Sequence, residues 1–455
     1  MSNQYDVIIL GAGPAGEHCA GRLAKAGARV AIVERELVAG ECAYWACIPS
    51  KTLLRSGEAL AQAREAPGAA EAVSGELDVS SALAWRDFMV NDYKDDSKAQ
   101  WLKSEGIELI RGEGQLAGRG RVEVDGASYG ARDIVLSTGS DAAFAPIPGL
   151  DALDGLWTNR EATAIKEIPG RLLVLGGGPV GVEMAQAMSR MGASVVLVEG
   201  EDHLLPREPA ALGEGLRQAL EAEGIEFHLG QHASGARRYG EGYALDFPDG
   251  SELRGDTLLV ATGRAPRTAG IGLETVGIEP DKKGVQVDER MSAGDGLWAI
   301  GDCTGIWPFT HVGKYQARVA ASNILGKRAE ASYEAVPRVV FTDPEAASVG
   351  EADGEHTASA QLAEVARTST FTRAYADQPG FLTLVSDGER LTGAYALGPE
   401  AGEWLGQATL AIRARVPVAT LLDTIQPFPT FSEVYLDALT ELDAKLAGTA
   451  SVAAA

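Results

Sequence analysis

A glycine-rich turn that follows a short apolar run occurs twice in the chain, and this repeat limits the possible fold more than any other feature. Residues 5–16 read YDVIILGAGPAG, and residues 171–181 read RLLVLGGGPVG. Each turn is followed by a helical segment and then by a second apolar run, which ends at Glu34 or at Glu199. A strand, a tight turn, a helix and a second strand form a βαβ unit with parallel strands. The sequence therefore predicts an α/β fold with two Rossmann-like domains.

The first glycine motif is Gly11-x-Gly13-x-x-Gly16. In such a motif the first glycine permits a tight turn, the second lets a pyrophosphate approach the backbone, and the third lets helix and strand pack closely. Glu34 stands where a carboxylate accepts hydrogen bonds from ribose hydroxyls. A glycine turn without a ligand is the alternative, but it does not account for the strand, the helix and the acid together. The motif predicts a bound dinucleotide.

The second motif, Gly176-x-Gly178-x-x-Gly181, repeats these features, and Glu199 takes the position of Glu34. A carboxylate at this position repels a 2′-phosphate, so NADH is favoured, while Arg207 a few residues downstream leaves NADPH possible. Two such loops predict two dinucleotides. One permanently bound and one exchanging would make the chain a flavin enzyme that is supplied by a nicotinamide.

A close cysteine pair lies in the segment ECAYWACIPSK, residues 41–51. Residues five apart in an ideal helix have Cα atoms about 8.6 Å apart, whereas a disulfide needs less than about 7 Å. Cys42 and Cys47 can therefore form a disulfide only where a helix is distorted or just beginning. Pro49, which lacks an amide hydrogen, supplies a cause for such a break. A thiolate at a helix start with Lys51 nearby is expected to have a lowered pKa.

Three uses of the cysteine pair are possible. A zinc site would need further ligands, and the other cysteines and the histidines are scattered along the sequence, so we expect no metal. A structural disulfide is uncommon in a reducing compartment. Redox chemistry is the use that the pattern favours.

Composition and charge exclude several other classes of function. The formal net charge is −24 and no basic stripe is visible, which argues against a nucleic-acid partner. No run approaches the roughly 18 apolar residues of a membrane-spanning helix. The first residues do not resemble a secretory signal, so we expect a cytoplasmic protein.

Taken together, these motifs resemble the flavoprotein disulfide reductases, the family of dihydrolipoamide dehydrogenase, glutathione reductase and mercuric reductase. The segments GAGPAG, C-x4-C-IPSK, STGS, GGGPVGVE, ATGR, AIGD and PTFSE occur in the family order across nearly all of the chain. The resemblance implies FAD and a nicotinamide as cofactors, with Lys51 and Glu183 paired beside both. It also implies that Cys47 faces the flavin and that Cys42 exchanges with substrate. The implied cofactor-binding residues are Gly11, Gly13, Pro14, Ala15, Gly16, Glu34, Lys51, Thr138, Gly139, Ser140, Gly176, Gly178, Pro179, Val180, Gly181, Glu199, Gly263, Gly301 and Asp302.

The same resemblance implies a domain order. Residues 1–150 and 266–335 would form the FAD-binding domain, and residues 151–265 the NAD(P)H-binding domain. Residues 336–455 read as antiparallel strands and helices, and would form a C-terminal α+β dimerisation domain. A homodimer is therefore expected.

The C-terminal loop departs from the family pattern. It reads QPFPTFSE from Gln426 to Glu433, with Phe428 where the family has a catalytic histidine, and no histidine follows His356. Thiol–disulfide exchange depends on proton transfer that contributes about 10²–10⁴ in rate, and phenylalanine cannot supply it. We expect Phe428 to act as an apolar plug at the dimer interface. The sequence thus predicts electron transfer from NAD(P)H through FAD and the cysteines to a small non-disulfide acceptor, such as a quinone.

Two alternatives stay open. The chain could be a disulfide reductase that uses an unconventional acid, for which Tyr44 and Glu433 are candidates, while His311 is more naturally structural. It could also be a flavoprotein that only binds or assembles, with vestigial redox chemistry. Mercury is disfavoured, because mercuric reductase pairs an aromatic residue at the position of Phe428 with a C-terminal cysteine pair that this tail lacks.

Overall fold

The computed structural model describes residues 3–371 and 380–453. The chain divides into two compact units, which are described one at a time. Unit 1 comprises Met1–Pro49, Ala84–Ala143 and Gly263–Ser332, and unit 2 comprises Ser50–Leu83, Phe144–Thr262 and Tyr333–Ala455.

Unit 1 is built on a sheet whose central strands are parallel. In the register, Ile9 pairs with Ile32 on one side and with Val135 on the other, and all three side chains are fully buried. Continuous apolar runs of this kind are typical of parallel strands that are covered on both faces. The strand order is Ser292–Gly294, Leu297–Ala299, Ala127–Leu136, Gln4–Leu10, Val30–Glu34 and Glu108–Arg111. The additional strands are Gly114–Leu116 and Arg121–Val124 at this sheet, and the separate pair Ser140–Ala142 and Arg264–Pro266.

The first helix of unit 1 follows directly from its sequence. It runs from Pro14 to Lys25, with proline at the first turn, where no amide hydrogen is needed, and with basic residues in the last turn, where they favour the helix dipole. It packs against the helix Thr310–Ile324. The other helices that begin in unit 1 are Gly40–Tyr44, Cys47–Glu65 and Asp96–Ser104.

Unit 2 contains the second parallel sheet. Its strand order is Glu226–His228, Ser194–Val198, Arg171–Leu175 and Thr257–Val260. Between its strands Glu226–His228 and Thr257–Val260 the chain forms an antiparallel sheet, with strands Gly235–Tyr239, Gly242–Asp246 and Glu252–Gly255. The helices that begin in this part of the unit are Val79–Met89, Asn159–Thr163, Pro179–Arg190 and Ala210–Ala222.

The rest of unit 2 is an antiparallel sheet with helices packed on it. The strands, in order, are Arg338–Val340, Glu345–Gly350, Leu391–Gly398, Phe381–Ser386 and His356–Gln361. The helices are Ala366–Phe371, Ala401–Trp404, Gly406–Ala414, Val418–Leu422 and Val434–Ala453. Leu384, Trp404 and Tyr435 lie in the hydrophobic core between them.

The predicted α/β class is confirmed, with two parallel sheets and a C-terminal α+β region. The domain boundaries that were read from the sequence stay a prediction. Among the described helices, none is both long and apolar enough to cross a membrane.

Candidate active site

The two glycine loops share one internal geometry, in which the first and third glycines are required by the protein itself. In the first glycine loop (Gly11–Gly16), a Cβ on Gly11 would overlap the carbonyl of Ser137, and a Cβ on Gly16 would overlap the carbonyl of Gly11. The backbone blocks the same two positions in the second glycine loop (Gly176–Gly181). Gly11 also has a φ of +100°, a conformation that favours glycine.

The second glycine of each loop is different. Gly13 and Gly178 have ordinary extended backbone, with φ of −68° and −74°, and a Cβ on either would meet no protein atom within 4 Å. Each stands at the N-terminus of a helix, where amide hydrogens and the helix dipole favour an anion. Open space in front of a helix N-terminus fits the close approach of a pyrophosphate, so both loops fit a dinucleotide.

An acidic residue is tied to each glycine loop. Glu34 Oε2 accepts a hydrogen bond from the amide of Ala12 at 2.8 Å, and Glu199 Oε2 accepts one from Gly177 at 2.6 Å. The second carboxylate oxygen accepts from the amide two residues further on in both cases. A carboxylate oxygen can accept more than one hydrogen bond, so each acid can still bind ribose hydroxyls.

Further residues of the predicted cofactor site are brought together in unit 1. Ser140 Oγ donates to Asp302 Oδ2 at 2.6 Å and accepts from Arg264 Nε at 2.7 Å. Thr138 Oγ1 donates to the carbonyl of Arg267 at 2.7 Å. The carbonyls of Gly139 and Gly263 accept hydrogen bonds from the amides of Arg267 and Ala143. The amide of Gly301 donates to Gln316 Oε1 at 2.6 Å. Their roles toward FAD stay a prediction.

The cysteine pair lies where one helix ends and another begins. Cys42 is in the helix Gly40–Tyr44, and Cys47 is the first residue of the helix Cys47–Glu65. The sequence predicted that Cys42 and Cys47 could come within bonding distance only where a helix is distorted or just beginning, and the break between the two helices fulfils this condition. Both residues are thiols here, half-buried, and hydrogen-bonded to each other. Cys47 Sγ also lies 3.4 Å from Thr310 Oγ1.

The pKa of Cys42 is raised. The lowered thiol pKa expected at a helix start applies to Cys47, the first residue of the helix Cys47–Glu65, and stays a prediction. The hydrogen bond with Cys47 is the largest cause, followed by burial and by the charge of Cys47. Thr310 and Lys314 act in the opposite direction. The physical reason is that a second thiolate beside a first one is strongly disfavoured, so Cys42 holds its proton.

The two aromatic residues between the cysteines pack together. The ring of Tyr44 lies 5.7 Å from that of Trp45 and 6.4 Å from that of Tyr93, and Tyr44 is buried. Tyr44 Oη donates to the carbonyl of Lys94 at 3.3 Å, and burial raises its pKa to about 12. This environment makes Tyr44 a poor general acid, because its proton is already donated to the Lys94 carbonyl and its pKa is high.

Unit 2 contains the predicted lysine–glutamate pair. Lys51 Nζ lies 2.8 Å from Glu183 Oε2 and 3.0 Å from Glu183 Oε1, and Glu183 is only 4% exposed. The amide of Phe341 donates to Glu183 Oε1 at 3.1 Å, and Lys51 Nζ lies 4.6 Å from the centre of the Phe341 ring. The pairing is confirmed, and the role beside flavin and nicotinamide stays a prediction.

The C-terminal loop, also in unit 2, presents an apolar surface. Phe428 is 75% exposed and Ile425 is 94% exposed. Glu433 Oε2 accepts a hydrogen bond from the amide of Thr430 at 3.2 Å, and Thr430 Oγ1 donates to the carbonyl of Pro427 at 2.7 Å. Glu433 thus stabilises its own loop.

Some residues of the site were not predicted from the sequence. Thr310 contacts Cys47 although 263 residues separate them. The only signal for it was its position at the start of the helix that follows AIGD. His311, the next residue, is exposed and stacks on Phe309 at 5.2 Å between ring centres. His18 and Cys19, expected to pack behind the first glycine loop, are half-buried and fully buried.

Comparison with protein-family models identifies both parts of the chain. Residues 5–321 match the pyridine nucleotide-disulphide oxidoreductase model, and residues 336–439 match the dimerisation domain of the same family, which supports a homodimer. A dihydrolipoyl dehydrogenase of Thermus scotoductus is 37% identical over 95% of this chain and 96% of its own length. A mercuric reductase of Acidithiobacillus ferrooxidans is 34% identical over 94% of this chain and 81% of its own length.

Solved structures agree with this assignment. The Cu(II) complex of the HOCl-induced flavoprotein disulfide reductase RclA from Escherichia coli matches with a TM-score of 0.84 and 27% identity, over 96% of this chain and 99% of that one. LpdA from Mycobacterium tuberculosis matches with a TM-score of 0.84 and 26% identity, over 97% of this chain and 100% of that one. The chain belongs to the pyridine nucleotide-disulphide oxidoreductase family and is an NAD(P)H-dependent flavoprotein oxidoreductase that uses FAD.

Proposed function

We propose that this oxidoreductase passes electrons from NAD(P)H through FAD and the Cys42–Cys47 pair to a small non-disulfide acceptor, with a quinone as the best-fitting class. The observation that carries the proposal is the C-terminal loop. By its resemblance to the family's C-terminal loop, the segment Gln426–Glu433 has Phe428 in the place of a catalytic histidine. Glu433, which would orient that histidine, accepts a hydrogen bond from the amide of Thr430. The sequence has the two glycine loops and the cysteine pair that would carry electrons from the nicotinamide. It lacks the histidine that would transfer protons.

In this proposal the domains have the roles that the sequence predicts. Residues 1–150 and 266–335 bind FAD, residues 151–265 bind the nicotinamide, with NADH preferred, and residues 336–455 form the dimer. When bound, FAD accepts two electrons from the nicotinamide and makes them available to the cysteines. Cys47 is the thiol on the flavin side, and Cys42 is the thiol that meets the acceptor.

The reaction balances without a histidine. The Cys42–Cys47 disulfide takes up two electrons and two protons to become a dithiol. The dithiol then gives two electrons and two protons to the quinone, and hydroquinone and disulfide are formed. A thiolate leaving group, which is what requires the acid in disulfide exchange, is absent from this step. The mutual hydrogen bond of the two sulfurs supports storage of a proton within the pair.

Dihydrolipoamide-type disulfides are the main rival substrates, because one relative is a dihydrolipoyl dehydrogenase. The environment of the candidate acids argues against them. Tyr44 is buried with its hydroxyl engaged, and Glu433 caps its own loop. A purely structural role is also disfavoured, because the chain has both the cysteine pair in contact with Thr310 and the Lys51–Glu183 ion pair that the resemblance places beside the cofactors.

The test is a comparison of electron acceptors at saturating NADH. Quinones are measured beside lipoamide, glutathione disulfide and cystine, and Cu(II) is included because a solved relative is described as its complex. We expect turnover with quinones, and its loss in Cys42→Ser and Cys47→Ser but not in the matched control Cys19→Ala, a thiol buried in the core. Efficient reduction of any of the disulfides would overturn the proposal. Quinone turnover that survives in Cys42→Ser would show that the flavin reduces the acceptor directly.

A further inference from the structure

A row of polar and basic residues leads away from the redox sulfurs along one face of the helix Thr310–Ile324. Thr310, Lys314 and Arg318 are spaced four residues apart, so their side chains lie on the same face, with about 5–6 Å between successive Cβ atoms. Thr310 contacts Cys47 Sγ, and the charge of Lys314 lowers the pKa of Cys42. The row therefore begins at the cysteine pair.

The neighbouring first helix adds a second row. His18 and Arg22 are also four residues apart on the helix Pro14–Lys25. Burial lowers the pKa of His18, and the positive charges of Arg22, Lys314 and Arg318 lower it further. The cations of both helices are thus close enough to act on one side chain.

A third helix supplies another cation at the same place. Lys98, in the helix Asp96–Ser104, acts together with Lys314 on the carboxyl group of Glu17. Glu17 lies in the first turn of the first helix, and its Oε1 is buried with no hydrogen-bond partner among the described residues. We call Arg22, Lys98, Lys314 and Arg318 the basic face.

The basic face is exposed. All four side chains are open to solvent, and none of them forms an ion pair within residues 3–371 and 380–453. Lys25, on the same first helix, does form one, with Glu105 at 3.8 Å. In a chain with a net charge of −24, these four cations act on Glu17 and His18, and one of them, Lys314, also acts on Cys42. A local group of cations attracts anions within about one Debye length, roughly 8–10 Å.

We propose that the basic face binds the negatively charged group of an anionic acceptor while the reducible part of that acceptor lies at Cys42. This inference rests on the proposed function and narrows it to quinones that carry a sulfonate, carboxylate or phosphate. The overall negative charge of the protein repels such molecules, so a local cluster of cations is what brings them to the thiol. A neutral quinone has no charge for these residues to attract, so it should depend on them much less.

The first test measures kcat/KM of the holoenzyme for 1,4-naphthoquinone and for its 2-sulfonate. The double variant Lys314→Gln/Arg318→Gln should lower kcat/KM for the sulfonate about tenfold and that for the neutral quinone less than about twofold. Lys314→Arg keeps the charge and should retain the wild-type ratio. Lys25→Gln, on the neighbouring helix, is the control and should change neither value. Equal loss for both quinones would overturn the inference and leave the proposed function standing.

A second test does not depend on the proposed function. The NADH-reduced holoenzyme is alkylated with iodoacetate, an anion, or with iodoacetamide, its neutral counterpart, and the modified cysteine is identified by mass spectrometry. We expect the double variant to reduce the ratio of iodoacetate to iodoacetamide rates at Cys42 about tenfold. An unchanged ratio would overturn the inference, whatever the quinones show. A weakened dimer in the variant would also overturn it, because the cations would then serve the partner subunit.

Discussion

Glu433 Oε2 accepts a hydrogen bond from the amide of Thr430 at 3.2 Å, within the loop that carries Phe428. Because the carboxylate has a second oxygen, a histidine at position 428 could still be oriented by it. Phe428→His should therefore raise kcat/KM for lipoamide by at least about tenfold, the low end of what acid–base catalysis contributes. Steady-state turnover of lipoamide with NADH measures the effect.

Phe428→Leu is the matched control, since it keeps an apolar side chain at the same exposed position. It should leave lipoamide turnover unchanged, and Glu433→Gln combined with Phe428→His should remove part of the gain. No gain in Phe428→His would mean that the loop does not have the predicted role in the dimer.

Glu199 should set the choice of nicotinamide. Its Oε2 accepts from the Gly177 amide at 2.6 Å, which places the negative charge at the second glycine loop. Glu199→Gln keeps an acceptor oxygen but removes the charge, so the preference should shift toward NADPH by about tenfold in the ratio of kcat/KM values. Glu201→Ala is the control, because only the backbone of Glu201 contacts Glu199. An unchanged ratio in Glu199→Gln would contradict the predicted role.

Glu183 should be needed for reduction by NADH. Both of its carboxylate oxygens lie within 3.0 Å of Lys51 Nζ, so Glu183→Gln leaves the ammonium without its counter-charge and its fixed position. We expect the rate of flavin reduction to fall at least about tenfold, since small displacements at a reacting centre have large effects. Anaerobic stopped-flow absorbance measures this rate. Glu208→Gln, which removes the charge of a half-buried ion-pair partner of Arg338, should leave it unchanged.

The parts of the site that the sequence predicted are those fixed by neighbouring residues. The glycine loops and their acids could be read from spacing, because Gly11, Gly16 and Glu34 are constrained by backbone close to them in the βαβ unit. The contact of Thr310 with Cys47 joins distant parts of the chain, and no local pattern encodes it. The sequence also offered no basis for the raised pKa of Cys42, since that shift depends mainly on the hydrogen bond with the neighbouring sulfur of Cys47 and on burial.

Glu345 should make stability depend on pH. Burial raises its pKa to about 7, Glu58, Glu403 and Glu400 contribute in the same direction, and the Gly402 amide opposes them. The folded state holds this proton more tightly than the unfolded state, so the stabilisation is complete below about pH 4.5 and is lost as the pH rises through about 7. At about 1.36 kcal/mol per pKa unit, the loss is at most roughly 3.5 kcal/mol.

Glu345→Gln should remove this loss. The amide oxygen can still accept from the Gly402 amide, which lies 2.9 Å from Glu345 Oε2. Urea unfolding of FAD-saturated protein between pH 5 and pH 8 should show a smaller fall in stability for the variant than for the wild type. Parallel curves would show that the carboxyl group is not protonated in the fold.

Glu17 should tune the basic face. Burial raises its pKa to about 7, Glu34 adds to this, and Lys98 and Lys314 oppose it. Above neutral pH the carboxylate ionises beside these cations, so KM for the anionic naphthoquinone sulfonate should rise as the pH passes about 7. Glu17→Gln should flatten that rise and leave KM for neutral naphthoquinone unchanged. The same pH profile in variant and wild type would exclude Glu17 as the source.

The contrast between the glycines of each loop separates two kinds of damage. A side chain at Gly11 or Gly16 would overlap the protein backbone, so it would disrupt the fold whether or not a nucleotide is bound. A Cβ on Gly13 or Gly178 would contact no protein atom within 4 Å, so a methyl group there leaves the fold intact. It would obstruct only the nucleotide that binds at the loop. Alanine at either position would therefore give a folded protein that binds one nucleotide poorly. Gly13→Ala should lose FAD and its yellow colour, and Gly178→Ala should lose reduction by the nicotinamide.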